Sequence, residues 1–221
     1  MMSKIAQKPI FFLFLLIFFL SGCSYFGIPL DNLPWVSDDP IYFKDSFEVQ
    51  SGGWTTFDDG MGIAGYDQGR FRLKASIENY QFWSVPGLNF KDTMVVVRAT
   101  KVDGPDNNLF GLICRYQNES NYYAFVIGSD GYYGIFKVIE GQQTLIDQKH
   151  MDFSNRINQG NAENQIQAVC KEDQLILLVN GEQLLFVTDD ALIQGDVGLI
   201  VGNFSSPGTD ILFDNFIVAK P

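Results

Sequence analysis

The chain has 221 residues, with 26 Asp and Glu against 15 Lys and Arg, a formal net charge of −11 at pH 7 and one histidine. So acidic a body repels nucleic acid and anionic headgroups, which argues against DNA or RNA binding and against a basic peripheral membrane patch. One His and three Cys argue against a zinc site, whereas 20 Phe, nine Tyr, three Trp and 21 Gly describe short aromatic strands joined by tight turns.

The first segment reads as an export signal. Lys4 and Lys8 precede the eleven-residue apolar run Ile10–Leu20, which falls short of the ~20 residues a bilayer core requires. It runs into Leu20-Ser21-Gly22-Cys23, a sequence that resembles the lipobox of bacterial lipoproteins. The resemblance implies cleavage after residue 22, lipidation of Cys23 and stable anchoring by two or three acyl chains. Losing Lys4 and Lys8 with residues 1–22 would take the formal charge from −11 to −13. Ser24 is not the aspartate that retains lipoproteins at an inner membrane. The expected location is therefore a cell membrane or outer membrane, lipid-anchored on the extracytoplasmic face. Residues 23–42 hold Pro29, Pro34 and Pro40 with Asp31, Asp38 and Asp39, lack any periodicity, and read as a linker.

Beyond it, residues 43–221 read as one all-β domain. Strands are expected at Phe71–Ser76, Gln81–Val85, Thr93–Lys101, Phe110–Gln117, Tyr122–Ile127, Tyr132–Ile139, Gln143–Gln148, Asn164–Lys171, Gln174–Val179, Glu182–Val187, Asp196–Gly202 and Asp210–Ala219. Turn signals separate them, the sharpest being Asn180-Gly181, a pair suited to the positive φ of a type I′ hairpin. His150–Gly160 has room for one helical turn. Taking Asn118–Asn121 and Gly128–Gly131 as four-residue loops predicts a core face of Phe110, Leu112, Cys114, Tyr116, Tyr123, Phe125, Ile127, Tyr132, Phe136 and Val138. The opposite face then carries Ile113, Arg115, Gln117, Tyr122, Ala124, Val126, Tyr133, Ile135, Lys137 and Ile139. A loop one residue longer or shorter would invert the assignment.

From Asp45 onward the pattern resembles a concanavalin A-like lectin/glucanase domain, the jelly-roll shared by laminin G modules, legume lectins, laminarinase-type glucanases and keto-disaccharide hydrolases. The segments that carry it are Leu175–Val187 around Asn180-Gly181, Gly195–Gly202, and Ile211–Val218, with Asp45-Ser46-Phe47 and Trp54 at the other end. The resemblance implies that the first and last strands lie side by side, with Asp45 near Asp214. It specifies fold better than activity.

A glucanase of that kind carries Glu-x-Asp-x-x-Glu on one strand, and this chain has no such run among its seven scattered Glu. Nor do nucleophile-elbow glycines accompany His150. Sugar binding needs less: aromatic platforms flanked by polar groups suffice, and Arg115, Gln117, Tyr122, Tyr133 and Lys137, joined by Trp83, supply that mixture. The plainer reading is that these aromatics only cover the sheet. Val102–Asn108 offers Asp103, Asp106 and Asn107 as oxygen ligands for calcium, although such loops are commonly plain turns. Cys170 and Cys114 both point inward and, in an exported compartment, are expected to form a disulfide, the alternative being two buried thiols. The expectation is a glycan-binding or envelope-interaction module whose partner is a polysaccharide or an envelope protein. The alternative is a hydrolase or lyase resembling the keto-disaccharide hydrolases.

Overall fold

The computed structural model describes residues 40–221; the signal segment 1–22, Cys23 and the linker up to residue 39 lie outside the described residues. The strands are β1 (Ile41–Asp45), β2 (Phe57–Asp58), β3 (Gly62–Asp67), β4 (Arg70–Ala75), β5 (Gln81–Ser84), β6 (Thr93–Asp103), β7 (Asn108–Asn118) and β8 (Asn121–Ile127). They continue as β9 (Tyr132–Ile139), β10 (Gln142–Leu145), β11 (Asp152–Phe153), β12 (Glu163–Lys171), β13 (Gln174–Val179), β14 (Glu182–Thr188), β15 (Asp196–Asn203) and β16 (Thr209–Ala219). The fold is an all-β, concanavalin A-like jelly-roll sandwich of two antiparallel sheets. One sheet runs β14-β13-β12-β6-β16-β4-β3-β2, with β1 on β16; the other runs β10-β9-β8-β7-β15-β5, with β11 on β9. No α-helix occurs among the described residues, and the stretch with room for one helical turn contains β11, whose Asp152 and Phe153 pair with Tyr133 and Tyr132.

Period-two alternation builds the core, because successive side chains in a strand point to opposite faces. Val95, Val97 and Ala99 of β6, Ile166, Ala168 and Cys170 of β12, and Leu175, Leu177 and Val179 of β13 face Phe110, Leu112 and Cys114 of β7 and Tyr123, Phe125 and Ile127 of β8. Across this gap Cys114 is bonded to Cys170, linking the two sheets. At one end Phe47, Trp54, Phe71 and Phe216 interlock, with Trp54 and Phe216 edge to face at 4.9 Å. The β13–β14 hairpin turns on Asn180 and Gly181, both with positive φ (51° and 84°), as the dipeptide predicts. β1 lies against β16, with Asp45 opposite Phe216, so the first and last strands are neighbours.

The meander β7-β8-β9 departs from the expected register twice. Between β7 and β8, Cys114 pairs with Tyr123 and Asn118 with Asn121, so Arg115, Tyr116 and Gln117 of β7 lie opposite the single Tyr122 of β8, two residues more than regular pairing allows. The excess is taken up in a bulge at Arg115, whose φ is 53°. The bulge turns Arg115 inward and Tyr116 outward, reversing the expected faces of both. Between β8 and β9, Ile127 pairs with Tyr133 and Gly128 N–H donates to Tyr132 O, so the loop is the three residues Ser129, Asp130 and Gly131 rather than four. Gly131 (φ 93°) supplies the left-handed position that a three-residue hairpin needs. The one-residue difference inverts β9: Tyr133, Ile135 and Ile139 pack on the main core, while Phe136 and Val138 face outward.

Candidate functional site

The outward face of the β10–β5 sheet carries a second apolar cluster. Leu109 and Ile113 of β7, Tyr122, Ala124 and Val126 of β8, Val138 of β9 and Ile200 of β15 form it, with Trp83, Tyr116 and Phe136 packed against them. At its β5 end three rings interlock: Trp83 and Tyr122 at 5.7 Å, Tyr116 and Tyr122 at 5.9 Å, and Trp83 and Tyr116 at 6.5 Å. The indole N–H of Trp83 donates to Tyr116 Oη at 3.3 Å, which fixes the two rings relative to each other. Burial, and secondarily the nearby Tyr116 phenol, push the Tyr122 phenol up to about 12. Tyr122 is therefore a neutral floor beneath the two outer rings.

Those outer rings open onto a cleft of about 310 Å³ lined by Thr55, Phe57, Asp59, Met61, Tyr80, Gln81, Phe82, Trp83, Val85, Tyr116 and Glu119. That volume lies at the lower end of small-ligand pockets. Tyr80 is half exposed and tilts over Phe82 at 4.9 Å, and Phe57 lies 5.6 Å from Phe82 on its other side. Polar groups sit at the margins: Gln81, Thr55 and the two carboxylates Asp59 and Glu119. Asp59 Oδ1 accepts the N–H groups of Met61 and Gly62 at 3.0 and 3.1 Å, which orients its carboxylate from the β2–β3 turn. The arrangement offers ring faces to an apolar C–H surface and hydrogen-bonding groups to a polar rim.

Of the six residues expected to bind ligand, the cleft contains Trp83 alone. Arg115 is 2% exposed and its guanidinium donates to Lys91 O (3.2 Å), Leu192 O (2.7 Å) and Glu172 O (2.7 Å), with Asp92 at 3.4 Å. Desolvation lowers its pKa, partly offset by Tyr123 and Asp92. It clamps three loops and presents nothing to solvent. Gln117 is exposed at the edge, its side-chain amide donating to Gln194 O at 3.3 Å. Tyr122 is 4% exposed and lies beneath the outer rings. Tyr133 packs against the main core because β9 is inverted. Lys137, turned to the same side, pairs with Asp189, whose other oxygen accepts from Tyr123 Oη at 2.5 Å. Burial raises the Asp189 pKa, but hydrogen bonds from Lys137, Tyr123 and Ala191 N–H and the Lys137 charge outweigh it and hold the carboxyl low. Tyr116, Tyr80, Asp59 and Glu119 were not among the expected residues. Tyr116 became visible only through the bulge at Arg115.

The loop expected to hold calcium is built around an ammonium. Lys101, 3% exposed, donates to Asp106 Oδ1 at 2.7 Å and to Asn161 Oδ1 at 2.8 Å. Asp103 accepts from the N–H of Gly104 at 2.8 Å. Asp45 accepts from Phe47 N–H at 2.7 Å and Trp54 Nε1 at 2.9 Å, so its carboxylate serves the aromatic end of the core. Among the described residues no group of three or more His, Cys, Asp or Glu converges as a metal site would require.

No family model matches the chain, and no curated protein matches it in sequence. Solved structures do share its fold. The chain superposes on the carbohydrate-binding module CBM66 from Bacillus subtilis with a TM-score of 0.61 at 15% identity, covering 77% of this chain and 98% of that one. It is similar to a Bacillus subtilis protein of unknown function with a galectin-like fold (TM-score 0.60, 12% identity, 81% and 96% covered). It is also similar to the Bacillus licheniformis beta-glucanase (TM-score 0.55, 10% identity, 81% and 97% covered). At these identities the likeness defines the class of fold, the lectin and glucanase jelly-roll, and stops there.

Proposed function

We propose that this protein is an extracytoplasmic glycan-binding module tethered to a membrane by lipid on Cys23. The observation that carries the reading is the cleft at β5, where Tyr80, Trp83 and Tyr116 stand beside Gln81, Asp59 and Glu119. Ring faces take the C–H surface of a pyranose or furanose and the polar margin takes its hydroxyls. The likeness to a carbohydrate-binding module supports the same reading, and the Cys23 motif supports the tether.

Binding without turnover is the reading that the chemistry of the sheet floor supports. The outward side chains of β8 are Tyr122, Ala124 and Val126, with no carboxylate among them. Hydrolysis would fall to Asp59 and Glu119, and Asp59 already holds a turn through one oxygen. A glycan array, read with the wild type and with Trp83→Ala and Tyr116→Ala, tests the proposal. Each substitution is expected to weaken binding by about 1–3 kcal/mol, the scale of a removed aromatic anchor. The array hits should show no new reducing ends after prolonged incubation. If no glycan binds while an envelope protein is retained through the same cleft residues, the module recognises protein instead and the proposal fails.

A further inference from the structure

We infer that the saccharide taken by this cleft carries a protonated amine. The inference rests on the glycan-binding reading and adds the charge of the ligand. Five aromatic residues, Phe57, Tyr80, Phe82, Trp83 and Tyr116, line the cleft, and its two ionisable carboxylates are Asp59 and Glu119. No Lys, Arg or His lines it. Asp67, Asp92, Asp106, Asp189, Asp210 and Glu182 all take part in ion pairs with Lys or Arg, whereas Asp59 and Glu119 take part in none among the described residues. Two acidic residues without a basic partner among the described residues thus line a space walled by aromatic rings.

Both features select the same charge. An aromatic face is the negative end of the ring quadrupole and attracts an ammonium held within ~6 Å of its centre. A carboxylate beside it strengthens that attraction and repels a uronate or sulfate. A neutral sugar gains only ring contact and hydrogen bonds. A hexosamine with a free amino group gains these and the charge interaction together, while its N-acetyl form loses the charge and a galacturonate reverses it.

The test uses the full chain in neutral detergent and three probes: trimers of glucosamine, N-acetylglucosamine and galacturonic acid, at a pH where the sugar amine is protonated. Calorimetry should show the glucosamine trimer binding about ten-fold tighter than its acetylated form. The galacturonate trimer should not bind. In Asp59→Asn/Glu119→Gln the ratio of the two affinities should shrink to about three-fold or less, whatever both trimers lose in hydroxyl contacts. Glu163→Gln/Asp190→Asn, at exposed positions outside the cleft, should leave the preference intact and so separate cleft recognition from the overall acidity of the protein. Equal binding of the first two trimers, or equal loss of preference in both double variants, overturns the inference and leaves glycan binding standing. If wild-type protein binds none of the trimers and no array glycan, the glycan reading falls and this inference with it.

Discussion

Replacing Arg115 by Met separates a structural role from a ligand-binding one. The substitution keeps the length and apolar stem of the side chain and removes its five N–H donors. The buried carbonyl of Leu192 and the part-buried carbonyls of Lys91 and Glu172 then lose the donor they share, and Asp92, a third exposed, loses its cation. An orphaned buried acceptor costs about 1–3 kcal/mol, whereas the part-buried carbonyls and the partly exposed Asp92 regain water and lose less. Because the carbonyls sit on loops that can relax, we expect about 3 kcal/mol of lost stability. In a domain of this size each kcal/mol lowers the melting temperature by about 2–4 °C, so a fall of roughly 10 °C should appear in calorimetry. Urea unfolding should show a lower midpoint at unchanged slope. The folded fraction should bind saccharide as the wild type does, because the guanidinium contacts residues 91, 172 and 192 and none of the cleft. Near-wild-type stability combined with lost binding would refute the reasoning and restore Arg115 to the ligand site.

Three further outcomes follow from the same structure. Cys114→Ala/Cys170→Ala opens a loop with a sequence separation of 56 and should cost about 4 kcal/mol by the chain-entropy relation, measured against the wild type under non-reducing conditions. Asp189 has a folded pKa below its unfolded value, so its contribution is present above the ordinary carboxylate range and is lost as pH falls through the folded value. Unfolding free energy followed from neutral pH down to strongly acid pH should therefore have a shallower acid limb in Asp189→Asn than in the wild type; an unaltered limb would mean that the Lys137–Asp189–Tyr123 network is not linked to folding. Cys23→Ala should take up no labelled palmitate and accumulate as an uncleaved precursor, and label entering that variant would remove the lipid tether.

Sequence alone was sufficient for the architecture because its signals are local and redundant. Alternation in β12 and β13 and the Asn180-Gly181 turn each constrain the same sandwich, and a misread strand elsewhere does not change it. The binding face was harder to read because it depends on parity, which a single residue reverses. The bulge at Arg115 is invisible in the spelling of Cys114-Arg115-Tyr116, since nothing in a non-glycine residue announces a φ of 53°. The loop Gly128-Ser129-Asp130-Gly131 announces a turn but not whether three or four residues form it, and the answer decides on which side Tyr133 and Lys137 fall. Short strands such as β2, two residues long, offer no period to detect, and the cleft residues Phe57 in β2 and Asp59 just after it go unnoticed with it. The composition of the face survived the reversal even though its membership changed. Moving Tyr116 outward and Tyr133 inward exchanged one tyrosine for another, but turning Arg115 and Lys137 inward withdrew both cations. An aromatic face interleaved with positive charge became an aromatic cleft bounded by Asp59 and Glu119, so the two register steps that withdraw both cations leave carboxylates as the charged groups of its margin.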